Sequence, residues 1–174
     1  MSAAPSLGAP PRNILLVEDN PGDARLVQER LKRGWTRNLS VAHVTRLDEG
    51  AAHLAAHGAD CVLLDLSLPD SQGRDGVQRL VASFPSVPIV ILSGTDDEAL
   101  ILECLHEGAQ DYLVKGSADG ALIGRSIRYA VERKRAERTS RVRATAGVTP
   151  TACRPLVSGS CSCSWRLSRS ARRP

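Results

Sequence analysis

Four short apolar runs in this chain end on residues that could do chemistry. Ile14-Leu15-Leu16-Val17 leads to Glu18 and Asp19, and Cys61-Val62-Leu63-Leu64 leads to Asp65. Ile89-Val90-Ile91-Leu92 leads to Ser93, and Tyr112-Leu113-Val114 leads to Lys115. A further run, residues 39–44, ends at Thr45 and offers nothing charged. Carboxylates brought together at such run ends repel one another. Two unit charges about 4 Å apart cost roughly 4 kcal/mol at an effective dielectric near 20. A hard divalent cation relieves that cost, and Mg2+ typically takes one or two carboxylates with waters and phosphate oxygens. A carboxylate nucleophile, a cation, a lysine and a hydroxyl together describe in-line phosphoryl transfer. The cation and lysine neutralise the equatorial oxygens while the carboxylate attacks. At any one position, a polar residue that merely opens a loop is the plain alternative. It does not account for four of the five runs ending on this particular set.

Positioning such a set requires the runs to be strands. They are short, continuous and rich in β-branched residues, as expected of strands buried on both faces. Helical patterns separate them. Asn20-Pro21-Gly22-Asp23 gives a capping residue, a proline at the first helical position and a first-turn acid, and Ala24, Val27 and Leu31 form an inward stripe closed by Gly34. Thr45-Arg46-Leu47-Asp48 reads as the cap of a second helix, with Leu47, Ala51, Leu54 and Ala55 inward and Gly58 at its end. Val77, Leu80, Val81 and Phe84 mark a third helix. Thr95 with Glu98 forms a capping box for a fourth, whose inward residues are Leu102 and Leu105 and which Gly108 stops. A fifth helix starts near Asp119 and carries Leu122, Ile123, Ile127, Ala130 and Val131. Alternating strands and helices imply right-handed parallel βαβ units. The expected fold is α/β, a doubly wound five-stranded parallel sheet in the order 2-1-3-4-5 with five helices, flavodoxin-like. Its ligand crevice lies beyond the carboxyl ends of the strands, between the first and third. That gathers Glu18, Asp19 and Asp65, with Ser93 and Lys115 alongside.

The chain has 174 residues, 42% hydrophobic and 24% charged, as in ordinary globular proteins. Aromatics are only 3%, so the core must be aliphatic. No apolar run approaches the roughly 20 residues of a membrane span, and Met1 to Pro11 lacks the pattern of a secretory signal. A cytoplasmic protein with no membrane partner is expected. The net charge of +4 conceals two regions. Residues 1–138 hold 16 Lys and Arg against 19 Asp and Glu, whereas residues 139–174 hold seven Arg and no acid. The basic character therefore belongs to the tail, and a nucleic-acid partner is not expected for the body. Cys61 and Cys104 lie in apolar patterns as small buried thiols, while Cys153, Cys161 and Cys163 lie in the tail without metal-site spacing. The expected organisation is a disordered N-terminus (1–11), one domain (12–131), a helical extension or linker (132–140) and a disordered basic tail (141–174). Trp165 and Leu167 cannot make a core for that tail.

The segments ILLVEDNPGDARLV, CVLLDLSLPDSQG, IVILSGTDDEAL and GAQDYLVKG resemble the receiver domain of two-component response regulators over roughly residues 13–131. The resemblance implies that Asp65 is the phospho-acceptor. It implies that Glu18 and Asp19 hold Mg2+ together with Asp65 and the backbone carbonyl of Ser67. It makes Ser93 the switch hydroxyl, Tyr112 the switch aromatic and Lys115 the family's lysine. The partners implied are a histidine kinase or phosphotransfer protein, an output partner, and a homodimer mate on the face of the fourth helix, fifth strand and fifth helix. No enzymatic activity is implied beyond Mg2+-dependent self-phosphorylation and self-dephosphorylation. Two departures stand out. The acidic pair is Glu-Asp rather than Asp-Asp, and Lys115 precedes Gly116 rather than the frequent proline, so the usual cis peptide is absent. RSIRYAVERKRAER resembles linkers to sensor-kinase, cyclase or phosphatase output domains, so the alternative is the N-terminal receiver of such a larger protein. A phosphatase of the haloacid-dehalogenase type would need D-x-D at the nucleophile, and this chain has Asp65-Leu66-Ser67.

Overall fold

The computed structural model describes residues 10–35, 39–94 and 98–146, with side chains through residue 140. Five strands form one parallel sheet: β1 (Asn13–Val17), β2 (Ser40–Val44), β3 (Cys61–Asp65), β4 (Ile89–Ser93) and β5 (Asp111–Val114). Their spatial order is β2-β1-β3-β4-β5, the expected doubly wound arrangement. The helices are α1 (Pro21–Gly34), α2 (Leu47–His57), α3 (Arg74–Ser83), α4 (Glu98–His106) and α5 (Gly120–Ala146). A two-residue antiparallel hairpin, Ser67–Leu68 with Ser71–Gln72, sits in the loop after β3.

Alternation along the strands divides the core in two, because successive side chains point to opposite faces. Ile14, Leu16, Cys61, Leu63, Val90 and Leu92 pack under α1 and α5 with Val27, Leu31, Ile123 and Ile127. Leu15, Val17, Val62, Leu64, Ile89 and Ile91 pack under α2, α3 and α4 with Leu47, Leu54, Val77, Leu80 and Cys104. β3 and β4 are buried along their whole length, which explains their uninterrupted apolar runs.

Three expected helix faces need correction. In α4 the inward residues are Ile101 and Cys104, whereas Leu102 is 56% exposed and Leu105 only half-buried. In α2 Gly50 is buried and Ala55 is exposed. A Cβ on Gly50 would lie 3.1 Å from Val17 Cγ2, so the helix packs there through its backbone. In α5 Leu122 is exposed, whereas the other expected residues, Ile123, Ile127, Ala130 and Val131, are buried.

The caps follow the sequence in α1 and α5. Asn20 Oδ1 accepts from Gly22 N at 2.8 Å, and Asp119 Oδ1 accepts from Leu122 N at 2.7 Å. They do not in α2. Arg46 stands at its N-cap without a side-chain cap bond, and the carboxylate of Asp70 caps it instead, accepting from Leu47 N at 2.9 Å and Asp48 N at 3.0 Å. A capping acceptor 22 and 23 residues away is invisible to local sequence rules. The capping box expected at Thr95 lies outside the described residues. α5 runs on past Val131, the last buried residue among those whose side chains are described, to Ala146, so the helix continues six residues into the tail expected to be disordered from 141; the rest of that tail, with Trp165 and Leu167, lies outside the described residues.

Candidate functional site

The carboxyl ends of β1, β3, β4 and β5 deliver the expected set to one place. Asp65 closes β3 opposite Leu92, and Ser93 closes β4 opposite Val114. Lys115 N donates to the carbonyl of Ser93 at 2.9 Å, which carries the β5 register one residue beyond the strand. Glu18 N donates to Val44 O at 3.0 Å, so Glu18 too is held by sheet pairing. His43 Nε2 lies 2.8 Å from the Glu18 carbonyl, a packing role for a histidine with no evident chemistry.

Lys115 is the centre of the arrangement. Its Nζ lies 2.7 Å from Glu18 Oε2, 3.0 Å from Asp65 Oδ2 and 3.3 Å from Asp23 Oδ2. Glu18 is fully buried and Asp65 is 4% exposed, so the two charges depend on this ammonium. Burial pushes the Glu18 carboxyl above its ordinary range, and the negative charge of Asp65 acts in the same direction, partly offset by Lys115. Burial would lower the Lys115 ammonium, but Glu18 and Asp65 outweigh it and hold it above the usual lysine value. Asp23 was legible only as a first-turn helix acid. Its nearness follows from the short turn that starts α1 three residues after Glu18.

Carboxylate oxygens of Glu18, Asp19 and Asp65 all lie within 4.8 Å of one another, with Asp19 open to solvent. All three are hard oxygen donors, the set that suits Mg2+. Beside Asp65 a cavity of about 310 Å³ is bounded by Ser67, Gln72, Gly73, Ser93 and Leu100. The site is therefore an acidic pocket with an open approach to one nearly buried carboxylate, a buried hydroxyl at Ser93 and an ammonium. Tyr112 does not join it. It lies on β5 paired with Ile91 and is 42% exposed. Cys61 and Cys104 are buried away from it, and burial raises both thiols.

Geometry and sequence converge on one class of protein. The chain belongs to the response regulator receiver domain family, whose profile matches residues 14–126. It is similar to the KDP operon transcriptional regulatory protein KdpE of Escherichia coli, 32% identical over 121 residues, covering 70% of this chain and 52% of that protein. It is also similar to the swarming motility regulation protein RssB of Serratia marcescens, at 35% over 116 residues, covering 65% and 50%. The chain thus spans about half the length of these relatives. Among solved structures it resembles the phosphorylated cyanobacterial phytochrome response regulator RcpA, with 30% identity, a TM-score of 0.56, and coverage of 67% of this chain and 89% of that one. The Mn(2+)-bound response regulator Rcp1 is similar at 28% identity and a TM-score of 0.55, covering 68% and 90%. Among the described residues no helix is long and apolar enough to cross a membrane.

Proposed function

We propose that this receiver domain is the phospho-accepting module of a two-component system, acting in the cytoplasm, with Asp65 as acceptor. The donor is a phosphohistidine of a histidine kinase or phosphotransfer protein. An Asp65 carboxylate oxygen attacks phosphorus, the new P–O bond forms as the P–N bond breaks, and the imidazole leaves with the electron pair. Glu18, Asp19, the Asp65 carboxylate and the Ser67 carbonyl would hold Mg2+, which supplies charge neutralisation for the transferring group. Lys115 places its ammonium against the same oxygens. The observation that carries the reading is this ammonium, 3.0 Å from a 4% exposed Asp65 that faces an open cavity. That RcpA was solved phosphorylated and Rcp1 with Mn(2+) supports it.

The output is a switch. Ser93 donates its hydroxyl to the new phosphoryl oxygens, and Tyr112 on the neighbouring strand turns inward behind it. The surface formed by α4, β5 and α5 changes as a result. That surface already exposes Leu102, Tyr112, Leu122 and Tyr129, which suits an output partner or a second copy of the chain. The continuation of α5 past Val131 favours a second reading, the receiver of a larger sensor kinase, cyclase or phosphatase output protein. Incubation with acetyl phosphate and Mg2+ tests the proposal by intact mass. One phosphate is expected, and none with EDTA. Equal labelling with EDTA would refute the metal-assisted mechanism.

A further inference from the structure

We propose that Arg30 is a positioning residue that holds Lys115 in the site from the far end of α1. The inference rests on the role given to Lys115 above. Lys115 is followed by Gly116, and glycine gives a chain its greatest backbone freedom. Ser117 N and Ala118 N close the turn from β5 to α5 on the Val114 carbonyl, at 3.2 and 3.0 Å, but neither bond uses the Lys115 carbonyl, whose restraint comes from another element. Arg30 supplies it. Its Nη1 donates to the Lys115 carbonyl at 2.8 Å and to the Ala118 carbonyl at 2.6 Å. One nitrogen thus spans the turn, bonding on both sides of Gly116 and Ser117. The donor belongs to the charged guanidinium of a half-buried Arg30, and that charge makes these bonds stronger than neutral ones.

The base of Arg30 is fixed as well. A Cβ on Gly120 would overlap the Arg30 carbonyl, and a Cβ on Gly34 would overlap the Gly120 carbonyl. α1 and the start of α5 therefore meet backbone to backbone, and Gly124 packs against Trp35 along the same seam. Seven residues before Arg30, on the same helix face, Asp23 lies 3.3 Å from the Lys115 ammonium. α1 thus grips Lys115 twice, by its side-chain nitrogen and by its backbone oxygen. The loop geometry that brings the ammonium to Asp65 is in this way built into α1.

The test is a double-mutant cycle, read as the rate of loading by acetyl phosphate with saturating Mg2+, on the 174-residue chain. Arg30→Met should slow loading about tenfold, inside the ~10²-fold that misplacing a catalytic group by an ångström can cost. Its Mg2+ affinity should stay at the parent's. Arg30→Lys, which keeps a donor, should recover most of the rate. In a Lys115→Ala background, Arg30→Met should slow loading no further, because the two residues act as one. A parent-like rate for Arg30→Met, with or without a lower melting temperature, would overturn the proposal. So would an undiminished tenfold effect in the Lys115→Ala background, which would mean that Arg30 acts on the fold or on another group. A parent-like rate for Lys115→Ala alone would instead overturn the reading of Lys115.

Discussion

At the scale of single residues, the site is a problem in charge. Glu18 and Asp65 are almost without solvent, and Lys115 is the ammonium that faces both. Removing one partner from a buried ion pair strands the other, at a cost of ~3–5 kcal/mol when burial is complete. Lys115 retains 14% exposure, and the raised Glu18 carboxyl can take up a proton instead, so the cost here should be smaller. Lys115→Ala should lower stability by about 2 kcal/mol without divalent cation, measured by urea denaturation at neutral pH. An unchanged midpoint would show that the carboxylates do not depend on it.

At the scale of elements, two helices connect the site to the rest of the fold. α2 is capped by Asp70, which lies on the loop that also carries Ser67. Burial would raise the Asp70 carboxyl, but the amides of Asp48 and Leu47 and the charge of Arg46 outweigh it and hold it below its ordinary value of 3.8. A depressed carboxylate stabilises the fold above its unfolded value, and that contribution fades as pH falls through the folded one. Asp70→Ala should therefore cost about 1 kcal/mol at neutral pH and progressively less as the pH drops below about 4, read from urea midpoints across pH. A constant cost across that range would mean that the carboxylate's charge is irrelevant. α4 is the element that should respond to phosphorylation. Ser93→Ala should still load phosphate at Asp65 but show a blunted change in amide exchange of α4 with a beryllofluoride mimic. A full response would break the proposed link from Ser93 to Tyr112. These two helices also show what the sequence could reveal. Strand order and strand-end chemistry were legible because apolar runs and the residues after them are local. The Asp70 cap and the Arg30 contacts, 22 to 88 residues apart, were not. The inward face of α4 is not legible in the sequence because Ile101 and Leu102 are both strongly apolar, and only packing decides between them.

At the scale of the whole molecule, five strand–helix pairs in one parallel sheet bring four strand ends to one acidic pocket. Folding must bring these like charges together, so a ligand that neutralises them stabilises the native state. Mg2+ at about 100 times its dissociation constant should add about 2.7 kcal/mol, seen as an upward shift of melting temperature by several degrees. No shift would count against a metal site at Glu18, Asp19 and Asp65. The central claim is that Asp65, rather than another of these clustered acids, receives the phosphoryl group. An aspartyl phosphate is reduced by borohydride to the alcohol, which marks its position permanently. After loading with acetyl phosphate and Mg2+, borohydride treatment and peptide sequencing by mass spectrometry should find homoserine at position 65. Reduction at Asp19 or Asp23, or at no position in a chain that has gained phosphate, would contradict the account.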